Sequence, residues 1–201
     1  GTARSCPPGR SGTGARRRPR TAPTSRGSGS RCRAPGTTSR RPTSGPGVAL
    51  TPLAVDVTDD SIAYEFVTVT VDRALGAAHI TILAPSEAQP ASGDALVTAG
   101  ASNWLLATAR QLDDALLRLR FNETEVGTWV LHTRGGIDVV CDTEAVLTAD
   151  ASHWLVNEIR LYWTRTLKRL DLSARTLVTV VEPGSCFVGM LAELLLAPDR
   201  S

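Results

Sequence analysis

No Val, Leu, Ile, Met or aromatic side chain occurs in residues 1–47; Val48 is the first. A stretch with nothing large and apolar to bury cannot offset the entropy lost when its backbone is ordered. Residues 1–47 are therefore expected to form a disordered leader, and the fold is confined to residues 48–201. The charges divide at the same place. The leader holds 11 Arg and no Lys, Asp or Glu, a formal +11. The other 154 residues carry the remaining 11 basic residues against all 20 acids, a formal −9. The overall +2 and the pI near 8.5 describe neither part.

An Arg-rich tail can attract nucleic acid or an anionic membrane. Three other readings of the leader stand beside that one: a disordered extension, a transit-like leader, and the translation of a non-native frame. Arg without a single Lys, among Gly, Pro, Ser, Thr and Ala, fits the last of these best. A transit peptide needs an apolar helical stripe, and this stretch has none. The reading adopted is no nucleic-acid partner and no membrane partner. There is no apolar signal core and no run of 18 apolar residues, so a soluble, cytoplasmic protein is expected. Cys6, Cys32, Cys141 and Cys186 form no C-x-x-C pair, so no metal site is expected.

From Val48 on, the pattern is that of an α/β domain. Val48 to Asp60 reads as an extended lead-in. Tyr64 to Asp72 alternates, with Val67, Val69 and Val71 on one side, and pairs with Ala78 to Leu83 as a β-hairpin. Ala84 to Gly93 reads as a loop. Leu105, Leu106, Ala109, Leu112, Leu116 and Leu119 predict a helix over roughly Ser102 to Arg120. Gly127 to Thr133 reads as a short buried strand, broken by Arg134-Gly135-Gly136. A helix follows over about Ala151 to Leu170. Arg175 to Val181 is a continuous apolar run of the parallel, buried kind. After Pro183-Gly184-Ser185, a last helix is expected from near Val188 through Leu191, Leu194 and Leu195. The expected order is strand, strand, helix, strand, helix, strand, helix, with helices packed on a sheet.

The chemistry is concentrated in Val181 to Glu193. A strand feeds a glycine turn, which feeds a helix whose first N–H groups lack intrahelical partners and favour negative charge. Gly189 and Met190 are the substrate-binding candidates. Glu193 is the candidate acid or base, one turn in. An ordinary strand-to-helix turn with a solvated Glu is the competing reading. Cys186 reads as a small buried residue and not a nucleophile. His79, His132 and His153 read as capping or packing residues. Trp104, Trp129, Trp154 and Trp163 read as core, and Asp113-Asp114 as a solvated helix face.

Several stretches carry a family likeness: Gly47 to Leu53, Ala109 to Ala115, Ala145 to Trp154, Glu182 to Phe187 with Glu193, and Ala197 to Ser201. Over residues 47–201 the chain resembles the benzoyl-CoA-dihydrodiol lyases of the crotonase superfamily, in particular the opening of their second crotonase-like half. The resemblance implies a crotonase-like spiral of β-β-α units, here truncated at the C-terminus. It implies an acyl-CoA substrate and no separate cofactor. The implied reaction is hydrolytic ring opening of 2,3-dihydro-2,3-dihydroxybenzoyl-CoA to a semialdehyde CoA ester and formate, in aerobic benzoate breakdown. Backbone amides would stabilise the thioester oxyanion. The residues implied to do the chemistry belong to a first half absent from this chain: a Cys-Ser-Gly loop, a Gly-Gly-Gly-x-Glu loop and a later Glu. Met190 and Leu191 stand where the family's loop has glycines, which argues against an oxyanion hole at Met190. The intact protein is expected to be a homo-oligomer. The alternative is a non-catalytic scaffolding half. The cut at Ser201 is expected to strip partners from Leu191, Leu194 and Leu195 and leave them exposed.

Overall fold

The computed structural model describes residues 45–199. The leader reading falls on residues 1–47 and so lies almost wholly outside them.

A six-stranded sheet runs in chain order: β1 (Asp56–Val57), β2 (Ser61–Ala63), β3 (Val67–Asp72), β4 (Ala77–Leu83), β5 (Thr128–Arg134) and β6 (Thr176–Thr179). The expected hairpin is present as β3 and β4, antiparallel with Thr70 opposite His79. β1 and β2 extend that meander. β4, β5 and β6 run parallel, so the apolar run at 176–179 has the sense expected of it. Crossing in parallel requires long connections, and helices supply them. These are α1 (Gly93–Ala99) and α2 (Trp104–Asn122) before β5, then α3 (Ile137–Ala149) and α4 (Trp154–Asp171) before β6.

Alternation sorts the side chains. Val67, Val69, Val71, Ile80, Ile82, Trp129 and Leu131 join Leu105, Leu112, Leu116, Ile159 and Trp163 of α2 and α4 in one buried cluster. The opposite row, including Thr68, His79, Thr81, Val130, His132 and Val178, is half-exposed. The α/β class is thus present as a mixed sheet with one helix-covered face.

Several expectations require correction. The strand starts at Val67 and not at Tyr64, because the Tyr64 N–H turns back to the Val67 carbonyl at 2.9 Å. The lead-in contains β1 and β2. The stretch after the predicted loop opens with α1, whose start is capped by the Ser92 side chain accepting from the Ala95 N–H. α3 has no counterpart in the expected order. Its Val139, Val140 and Val146 are poor helix formers, and Gly135-Gly136 precedes it, so local propensity concealed it. The last helix is not continuous. A 3₁₀ turn (Gly189–Ala192) leads into a single α-turn, α5 (Glu193–Leu196). Leu191 and Leu194 are fully buried and not stripped of partners, and only Leu196 is largely exposed.

The Asp113-Asp114 pair is not a solvated face. Asp113 is buried and lies 2.7 Å from Arg169 Nε of α4. Asp114 accepts from the Tyr64 hydroxyl at 2.5 Å and from Arg118 Nε at 2.7 Å. The Trp reading holds. Trp104, Trp129 and Trp163 are buried, with Trp104 Nε1 donating to Leu83 O and Trp163 Nε1 to Leu105 O. Trp154 packs against the core. His153 caps α4 by accepting from the Leu155 N–H. His79 and His132 instead face each other across β4 and β5.

Candidate functional site

β6 delivers the chain to a loop that docks on the end of β5. Gly184, at φ +89°, makes the Pro183-Gly184 turn, and its carbonyl accepts from the Gly135 N–H at 3.0 Å. The Cys186 N–H donates to Thr133 Oγ1 at 2.8 Å. The Cys186 side chain is fully buried, and burial pushes its thiol above the ordinary range. A thiol held protonated in this way is a packing residue and not a nucleophile.

Gly189 follows at φ +55°, a conformation that favours glycine. It starts the 3₁₀ turn and turns the Met190 N–H inward. That N–H does not face open space. It donates to both carboxylate oxygens of Glu144 in α3, each at 2.9 Å. A Cβ at Gly189 would also displace the same carboxylate from its seat. The neighbouring Val188 and Leu191 amides donate to Cys186 O and Val188 O.

Glu144 is the residue that the sequence did not reveal. Burial pushes its carboxyl up to about 7, and the Met190 N–H offsets this only in part. A group balanced near neutrality is a candidate to hold or release a proton. The available signal was an acid set among Val139, Val140, Val146 and Leu147 of an otherwise apolar stretch.

Beside this contact lies a cavity of about 530 Å³. Leu147, Trp163, Leu167 and Met190 line it, and Lys168 and Glu193 stand at it. Glu193 is exposed at the start of α5. Of the three candidates, Met190 and Glu193 line this cavity; Gly189 precedes Met190 in the turn, and Glu144 reaches the Met190 N–H from α3. Among the described residues, no group of three or more His, Cys, Asp or Glu could hold a metal ion. Among them also, no helix is long and apolar enough to cross a membrane.

No family model matches the chain. Its sequence is 41% identical over 171 residues to benzoyl-CoA-dihydrodiol lyase of Aromatoleum evansii, a match covering 85% of this chain. The chain spans only 31% of that relative's length. Among solved structures, an enoyl-CoA hydratase/isomerase family protein from Silicibacter pomeroyi aligns with 66% of this chain and 49% of its own. The TM-score of that alignment is 0.39 and the sequence identity 18%.

Proposed function

Since this chain is a sequence relative of benzoyl-CoA-dihydrodiol lyase, we propose that it is part of a lyase that opens the ring of 2,3-dihydro-2,3-dihydroxybenzoyl-CoA, and that it is the supporting half of that enzyme. The observation behind the supporting role is the seating of the Glu144 carboxylate on the Met190 N–H. A thioester oxyanion needs preorganised N–H donors free to receive it. Here the candidate donor already has an anion-capable partner from its own chain. A carboxylate at that point would also repel the negative charge that develops on an enolate.

On this reading, the thioester substrate is held and the ring opened in the other half of the intact enzyme, with no separate cofactor. The intact enzyme is a cytoplasmic homo-oligomer to which this half contributes packing and contacts. Its fold continues into a crotonase-like spiral. Glu193 then plays no part in proton transfer.

Benzoyl-CoA labelled with ¹³C at its thioester carbonyl tests the supporting role. Amide donors that polarise the carbonyl move its resonance downfield. With the 201-residue chain in excess, the resonance is expected to stay at its free position. A downfield shift that is lost in Met190→Pro, which removes the candidate N–H, would overturn the reading.

A further inference from the structure

On the half-exposed sheet face, away from the cavity, His79 of β4 and His132 of β5 stand two positions apart in register, since Thr81 is opposite His132. His79 Nδ1 lies 3.1 Å from His132 Nε2. The ring centroids are 5.4 Å apart with planes 27° from parallel. That separation reaches the full sum of the 3.1 Å and the two ring radii, the greatest it could be, so the nitrogens point head-on. A metal ion placed between two head-on imidazoles needs them about 4 Å apart. A distance of 3.1 Å fits an N–H···N hydrogen bond. One ring must then donate while the other accepts.

Charged groups fix the surroundings. Glu182, beyond β6, lies 3.6 Å from His132 Nδ1 and is held by Arg134 at 2.6 Å. On the other side, His79 borders a cleft with Asp60, Asp72 and Arg73. Thr70 is its neighbour on β3.

We propose that His79 and His132 share a single proton and act as a pH-sensitive tie between β4 and β5. Protonating one ring keeps the bond, as imidazolium to imidazole, whereas protonating both sets two N–H groups head to head and places like charges in contact, so one ring must then swing away. Burial, then the neighbouring His79, hold His132 below its ordinary value of 6.5, while Glu182 acts in the opposite sense and Arg134 adds to the lowering. A histidine lowered in the folded state takes up fewer protons than in the unfolded chain. The tie is therefore intact at and above the ordinary histidine value and is lost only at a lower pH, as the second ring takes up its proton.

Nitrogen-15 NMR on the full chain tests this directly. At pH 8 a through-hydrogen-bond coupling between His79 Nδ1 and His132 Nε2 is expected. It should vanish as the pH is lowered towards 5, before the chain unfolds. In His79→Asn, the His132 titration midpoint should move upward. Absence of the coupling at pH 8 would overturn the proposal. So would a coupling that persists unchanged to pH 5, or a midpoint that does not move. The wild-type coupling decides the matter alone if the variant does not fold.

Discussion

The carboxylate of Glu144 receives the Met190 N–H on both its oxygens at 2.9 Å, across 46 positions of sequence. This contact joins α3 to the turn that opens the last helical segment. Burial makes the carboxyl more basic than an ordinary glutamate, and the Met190 N–H offsets this only in part.

The first prediction concerns pH. Glu144 is raised from 4.5 to about 7 in the folded chain, so the folded state holds a proton that the unfolded state has released. Its contribution to stability is therefore present below pH 4.5 and is lost as the pH rises through 7. Glu144→Gln keeps an oxygen for the Met190 N–H and cannot ionise. After discounting for partial exposure, it should stabilise the chain by about 1 kcal/mol at pH 8 and little at pH 5. Urea melts at the two pH values measure this. Equal effects at both would show that Glu144 is an ordinary surface carboxylate.

Gly189 supports the same contact. Gly189→Ala imposes a left-handed conformation on a non-glycine residue and drives a methyl into the carboxylate, a cost of about 2 kcal/mol. In a Glu144→Ala background only the conformational part remains. A double-mutant cycle should therefore show coupling of about 1 kcal/mol. Strict additivity would mean that the two residues do not touch.

Asp113 and Arg169 give the third prediction. Asp113→Leu removes the partner of Arg169 across α2 and α4 and should cost about 2–3 kcal/mol. Adding Arg169→Met should restore most of that loss, because the pair is then replaced by apolar packing. A thermal melt of the single and double variants checks both steps. A single variant as stable as the wild type would make the pair a surface contact.

Long periodic patterns were legible in the sequence. The leucines of α2 and the alternating valines of β3 report their own burial, because one helical or one extended face meets the core. The apolar run at 176–179 reported both its strand and its parallel sense. Less was legible where local propensity and tertiary context disagree. α3 is rich in valine and follows two glycines, so it forms only because Val140, Val146 and Leu147 have a core to enter. Gly189, Met190 and Glu193 could be proposed from their turn. Glu144 could not, because its role depends on a contact with no local pattern. The burial of Asp113 was hidden for the same reason: Arg169, which meets it, is supplied by another helix.

The most direct measurement is formate release from 2,3-dihydro-2,3-dihydroxybenzoyl-CoA incubated with the 201-residue chain. A supporting half whose candidate amide is held by Glu144 predicts no formate above the buffer rate. Formate release that is lost in Glu144→Gln or Glu193→Gln would contradict that account and place the chemistry in this chain.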